Sequence, residues 1–185
     1  MSGHRIVVNS FAVSENDCKK AIELVDYFYK AKQLYPFKDN GEVLVAPATE
    51  EVLLLLKKYS EMAKSLSKES NGFIPELYTM DAFLSLWIEG VGANAHIDSH
   101  RGYESVQFSS IAYLNDDYEG GELYFPNQDF LYKPKAGDIV TFPSGGTEYP
   151  HEVKKVSSGK RYTIAMWHSK VKENRYLKLY PDLGL

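Results

Sequence analysis

Near Ile74 the spacing of apolar residues changes from a helical to a strand-like period, and that switch leaves few folds open. Before it, Ser14-Glu15-Asn16-Asp17 places a hydroxyl three residues ahead of an acid, which reads as a helix start. Ile22, Val25, Tyr29 and Leu34 then recur at roughly helical spacing with Phe28 beside them, predicting a helix over Ser14–Leu34. A second helix is expected over Thr49–Ser67, through Leu53, Leu56, Tyr59, Met62 and Leu66, stopping before Asn71-Gly72. Glu42 to Ala46 suits a short strand between them. Beyond Ile74 the apolar runs are short: Asp81–Ile88, Phe108–Leu114, Glu122–Phe125, Phe130–Lys133, Asp138–Phe142, Tyr149–Val156 and Tyr162–Trp167. Turn residues punctuate them, among them Asn115-Asp116-Asp117, Gly120-Gly121, Gly137 and Ser157-Ser158-Gly159. Many short strands at about 8–12-residue intervals mean a sandwich or barrel. The expected class is therefore mainly β with packed helices.

Composition narrows the function more than the fold. The chain has 185 residues, of which 44% are hydrophobic and 25% charged, so it can build a core without disulfides and is not globally disordered. A net charge of −4 gives no bulk basic field, which disfavours a nucleic-acid partner. The single cysteine, Cys18, excludes an internal disulfide and multi-thiolate zinc sites. No apolar run approaches the length of a signal-peptide core or a membrane span, so a cytoplasmic chain without membrane contact is expected.

The chemistry gathers around two of the five histidines. In Ala95-His96-Ile97-Asp98 an imidazole and a carboxylate stand two residues apart, which on a strand puts both on one face. Two histidines and one carboxylate on one octahedral face are what non-haem Fe(II) takes, with other positions left open. Taken alone, His-x-Asp is a weak signal that often occurs by chance, and a solvated strand end is the commoner explanation. A second cluster adds weight: His151 is a candidate third ligand, and Arg161 follows ten residues later with Thr163 on the same strand face. A guanidinium beside a hydroxyl suits a carboxylate held in a pocket, although a surface ion pair would use the same residue. Lys160, His168 and, in a loop beyond Asp98, His100 fall out of phase with this site. His4 reads as a terminal surface residue.

These motifs, in order and spacing, resemble the iron(II)/2-oxoglutarate-dependent dioxygenases, and within them the prolyl 4-hydroxylase branch. The resemblance runs from about Asp81 to His168. It rests on His96-Ile97-Asp98, Tyr113-Leu114-Asn115-Asp116, Gly120-Gly121-Glu122-Leu123, Phe125-Pro126, Lys135-Ala136-Gly137-Asp138 with Phe142, and His151-Glu152-Val153 through Gly159-Lys160-Arg161-Tyr162. Two departures stand out: Trp87 is the nearest upstream aromatic where the family often has Tyr, and Arg161 stands where collagen-type members usually carry Lys.

The resemblance implies a double-stranded β-helix, a cupin-like jelly roll with N-terminal helices on one sheet. It implies one domain over 1–185, with helical support over 1–73, a jelly-roll core over 74–170 and a C-terminal tail over 171–185. It implies an oxidoreductase that uses Fe(II), 2-oxoglutarate and O2, with ascorbate as reductant, and that hydroxylates a C–H bond with release of succinate and CO2. Metal ligands would be His96, Asp98 and His151, and the 2-oxoglutarate contacts Arg161, Thr163 and Tyr113. Trp167 and Trp87 are candidate site walls, although core packing would also account for Tyr113 and Trp167. A protein or peptide substrate, with proline the target residue, is the leading expectation. The same chemistry on a small molecule or nucleic-acid component, and a non-enzymatic jelly-roll binding module, are the alternatives. The loops Phe37 to Gly41 and His100 to Gln107 carry no readable recognition motif.

Overall fold

The structure is a computed structural model that describes residues 5–37, 42–71, 76–99 and 105–172. His4, His100 and most of the expected tail lie outside these residues. In chain order the elements are β1 (Val7–Asn9), α1 (Glu15–Lys30), β2 (Tyr35–Pro36), β3 (Leu44–Val45), α2 (Glu50–Asn71), β4 (Tyr78–Trp87), β5 (Ala93–His96) and β6 (Val106–Tyr113). There follow β7 (Glu119–Gly120), β8 (Leu123–Phe125), a 3-10 turn (Pro126–Gln128), β9 (Phe130–Tyr132), β10 (Ile139–Pro143), β11 (His151–Val153), β12 (Val156–Ser158) and β13 (Arg161–Ser169). The expected switch from helices to short strands is what forms.

Local chemistry sets the helix ends. Ser14 caps α1, its hydroxyl accepting from the Asp17 amide at 3.2 Å. The helix ends four residues before Leu34 because Lys32 takes a left-handed φ of 55°. The Gln33 amide then reaches back to the Phe28 carbonyl at 2.9 Å, a Schellman-type stop. Thr49 performs the Ser14 role for α2, its hydroxyl accepting from the Val52 amide. That helix runs past the expected Ser67 to Asn71.

Two sheets face each other. The larger has seven strands in the order β1-β10-β6-β13-β4-β3-β2, the smaller four in the order β5-β11-β8-β9, and β12 pairs with β7 as a small ribbon. The expected strand Tyr149–Val156 is thus two elements: β11 pairs with β5 and β8, and β12 with β7. Ile6-Val7-Val8, too short to signal a strand alone, becomes the edge of the large sheet by pairing with β10.

The alternation of β4, β6 and β13 divides the molecule. Leu84, Leu86, Ala112, Ile164 and Met166 face the helices and form one core with Val25, Phe28, Val52, Leu56 and Tyr59. Cys18 belongs to that core, and burial pushes its thiol up to about 11, so it is a small apolar residue here. The opposite faces meet the small sheet in a second core of Tyr113, Leu123, Phe125, Val140, Phe142 and Val153. This is the jelly-roll arrangement, with both helices on the outside of the large sheet. Among the described residues, no helix is long and apolar enough to cross a membrane.

Candidate active site

The cavity between the sheets has a volume of about 860 Å³, and His96, Asp98, Ser109, His151, Phe83, Trp87 and Trp167 all line it. Antiparallel pairing assembles the metal-type cluster. His96, the last residue of β5, lies directly opposite His151, the first residue of β11, so the imidazoles stand side by side with centroids 4.5 Å apart. Asp98 lies not on the strand but in the bend just past it, so its place comes from the turn rather than the two-residue strand period. His96 Nε2 lies 3.6 Å from Asp98 Oδ1 and His151 Nε2 3.7 Å from Asp98 Oδ2. One ligand atom from each of the three residues falls within 4.8 Å of the others.

Backbone carbonyls set the tautomers. His96 Nδ1–H donates to the Asn94 carbonyl at 2.7 Å, and His151 Nδ1–H to the Tyr149 carbonyl at 3.3 Å. A carbonyl can only accept, so both Nε2 lone pairs are turned toward the centre. Burial pushes the His151 pKa down, with His96 adding to the effect and Asp98 opposing it. A neutral imidazole at neutral pH is what a metal requires. Phe142 and Phe125 pack on the His151 ring at 4.6 and 5.8 Å and keep that side dry.

Arg161 opens β13, packs on Trp87 of the cavity wall and is 1% exposed. Trp87 and Tyr113 flank its guanidinium, at 4.8 and 5.1 Å from the ring centroids. None of its three nitrogens has a hydrogen-bond partner among the described residues, and the Tyr113 and Tyr118 hydroxyls are equally buried and unpartnered. Burial raises the pKa of both phenols while the Arg161 charge opposes it, so both remain protonated donors. A buried cation ringed by unpaired donors fits one thing well, a carboxylate. The donor set therefore fits 2-oxoglutarate, as two imidazoles and a carboxylate fit Fe(II).

Thr163 stands beside Arg161 as its strand phase requires, with Oγ1 2.9 Å from Ser85 Oγ. Trp87 Nε1–H donates to the same Ser85 oxygen at 3.2 Å. Ser85 can then donate to Thr163, which frees the Thr163 proton for a ligand. Trp167 lies on the same face two turns of the pleat further on, where it packs at a tilt on Phe83 at 5.0 Å and stacks with Phe37 at 6.5 Å as an aromatic wall. Lys160 points the other way, to Asp26 on α1 at 3.0 Å. His168, fully buried against Thr79, is also outside the cavity.

Sequence reasoning missed Tyr118, Ser109, Phe37 and Phe83. Tyr118 sits among turn residues, where the one available signal was a bulky aromatic between Asn115 and Gly121. Its aim depends on Gly121, which adopts a φ of 67° and would set a Cβ 2.9 Å from both Arg161 Cδ and Tyr118 Cε2.

Comparison with known proteins agrees with this geometry. Residues 83–169 match the sequence model of the 2OG-Fe(II) oxygenase superfamily. Human prolyl 3-hydroxylase 2 is 44% identical over 70 residues, which cover 35% of this chain and 10% of that protein. Human prolyl 3-hydroxylase 3 is 38% identical over 78 residues, 40% of this chain and 10% of the relative. The chain thus spans about a tenth of the length of the curated relatives it matches. Among solved structures, a Pseudomonas putida prolyl-4-hydroxylase superposes with a TM-score of 0.72 at 19% identity, covering 92% of this chain and 95% of that one. A viral collagen prolyl hydroxylase from Paramecium Bursaria Chlorella virus-1, in its 2OG complex, gives 0.71 at 18% identity over 92% and 98% of the chains. A Trichoplax adhaerens prolyl hydroxylase in complex with a hypoxia inducible factor oxygen degradation domain peptide fragment gives 0.70 at 18% identity over 93% and 86%. Segment 83–169 is thus similar in sequence to the 2OG-Fe(II) oxygenase superfamily. The fold of the chain is the one found in the prolyl 4-hydroxylases.

Proposed function

We propose that this protein is an Fe(II)- and 2-oxoglutarate-dependent dioxygenase that hydroxylates proline in a peptide or protein. The observation that carries the reading is the buried Arg161 guanidinium, without a hydrogen-bond partner among the described residues, packed on Trp87, which lines the cavity that also holds His96, Asp98 and His151. A binding module of the same shape would need neither a desolvated cation nor a converging ligand set.

His96, Asp98 and His151 would hold Fe(II) on one face. Arg161, Tyr113, Tyr118 and Thr163 would hold the distal carboxylate of 2-oxoglutarate. When bound, the metal and cosubstrate supply the oxidising chemistry that inserts one oxygen of O2 into a C–H bond and releases succinate and CO2. The chain's own residues bind, orient and shield. Trp87 and Tyr113 pack on the guanidinium and keep water from weakening its pairing with a carboxylate. Phe37, Phe83 and Trp167 offer apolar surface for a compact ring such as proline. Ascorbate fits as the external reductant that keeps the metal ferrous. The proline reading is supported by the prolyl hydroxylases among both the sequence relatives and the structural neighbours.

The test is anaerobic titration with Fe(II) and 2-oxoglutarate, then succinate release with O2 against a panel of proline-containing peptides. Succinate formation coupled to one added oxygen per peptide is expected, and fragmentation of the product reports the ring position. Succinate coupled to a small molecule instead would replace the peptide assignment. Binding of neither metal nor 2-oxoglutarate would leave only the jelly-roll shape.

A further inference from the structure

Asp98 is 6% exposed, and the one hydrogen-bond donor found on it among the described residues is Ser109 Oγ, 2.5 Å from Oδ2. Ser109 is itself 3% exposed and lies in β6, on the large sheet, opposite the strands that carry the histidines. Behind it stands Ser144, 4% exposed, with Oγ 2.6 Å from Ser109 Oγ. The direction of this chain is decided by chemistry. An ionised carboxylate can only accept, so the Ser109 proton goes to Asp98. Ser109 must then accept from Ser144, whose proton has no better use: its other acceptor, the Phe142 carbonyl, is at 3.5 Å. Each bond polarises the next in the same sense.

From this geometry we infer that Ser109, backed by Ser144, is a positioning residue that holds the Asp98 carboxylate in one rotation, engaging Oδ2 and leaving Oδ1 as the metal-binding oxygen. The inference rests on the Fe(II) reading of the site. Asp98 sits in a bend rather than a ladder, so no strand pairing fixes its side chain. The tie from β6 replaces that support, and it spans the cavity from the large sheet to the metal end of the small one. Without it the carboxylate can rotate about its terminal bond and meet an imidazole with either oxygen, since Oδ1 and Oδ2 lie 3.6 and 3.7 Å from His96 and His151. Loss of such an orienting partner typically costs about 10–100-fold in metal affinity.

The test is calorimetric titration of the full chain with Co(II) and with Mn(II), with the visible bands of bound Co(II) recorded alongside. Ser109→Ala should bind both metals about 10–100-fold more weakly and shift the Co(II) bands. Ser144→Ala should show a smaller loss in the same direction. Ser109→Thr, which keeps the hydroxyl, should recover most of the affinity. Circular dichroism of each variant shows whether the fold is kept. Tight wild-type binding that Ser109→Ala matches overturns the inference alone, as does a Ser109→Thr protein that folds yet binds as weakly as Ser109→Ala. A wild-type chain that takes up neither metal overturns the inference together with the reading on which it rests.

Discussion

Arg161 is the largest fully buried side chain among the described residues, and it carries a charge. Its neighbour Lys160 is a cation too, yet it lies on the other face of β13 and pairs with Asp26 at 40% side-chain exposure. The two adjacent residues therefore form an internal control. Removing one partner of a buried charge pair costs about 3–5 kcal/mol, or roughly a hundred- to several-thousand-fold in affinity at about 1.4 kcal/mol per decade. Arg161→Ala should weaken 2-oxoglutarate binding by that factor while metal uptake stays nearly intact, whereas Lys160→Ala should leave both alone. Tyr118→Phe, which removes one donor to a charged group, should cost about 1.5–3 kcal/mol. Equilibrium titration of 2-oxoglutarate in the presence of Mn(II) decides all three, and a harmless Arg161→Ala would sink the anchor assignment.

His168 makes a separate prediction at the same scale. Burial, reinforced by the charge of Lys64, lowers its pKa from 6.5 to about 3. Between those values the unfolded chain takes up a proton that the folded chain refuses. Stability is therefore full above pH 6.5 and falls as the pH drops toward 3. The slope from this group is about 1.4 kcal/mol per pH unit. Urea unfolding of His168→Asn should show a correspondingly shallower loss between about pH 6 and pH 5. Parallel profiles for the two proteins would mean that His168 is protonated inside the fold.

At the scale of elements, the turn from β7 to β8 governs the anchor without touching a ligand. Gly121 must admit both the Arg161 stem and the Tyr118 ring at distances that no Cβ tolerates. Gly121→Ala is expected to lose about 1 kcal/mol of stability through its positive φ and, more tellingly, to lose 2-oxoglutarate affinity because Arg161 is displaced. Gly146→Ala is the comparison: its φ of 119° is also positive, but nothing lies within 4 Å of a Cβ there. It should cost stability and spare the cosubstrate. Equal losses of affinity in the two variants would detach the turn from the site.

For the molecule as a whole, the proposed metal and cosubstrate residues come from both sheets, so occupancy should tie the sheets together. Ligands that bind only the folded state stabilise it by about 2.7 kcal/mol each at a hundred times Kd. For a chain of this size that is about 5–10 °C in Tm. Thermal unfolding should rise with Mn(II) and rise further when 2-oxoglutarate is added. A chelator should lower Tm without unfolding the protein, because the two cores are apolar and complete without metal. A chain that melts at the same temperature in all three conditions would not be a metal-dependent oxygenase.

Local periodicity and motif spacing were enough to read the order of helices then strands, the Ser14 cap and the opposed faces of Lys160 and Arg161, whereas the His96, Asp98, His151 set was read from the family resemblance. The first three depend on residues within a few positions of one another or on a strand's two-residue alternation, both of which are written along the chain. Other features needed partners distant in sequence. β1 exists because the edge of β10 was available, and the run Tyr149–Val156 divides because its halves pair with different strands. Tyr118 and Ser109 join the site only when Gly121 and β6 bring them there. Their contacts depend on side-chain directions set by long-range pairing, for which neither residue type nor spacing carries a signal. The sequence by itself thus determined the chemistry on offer, and the tertiary structure decided which donors converge and which charge is left buried without a partner.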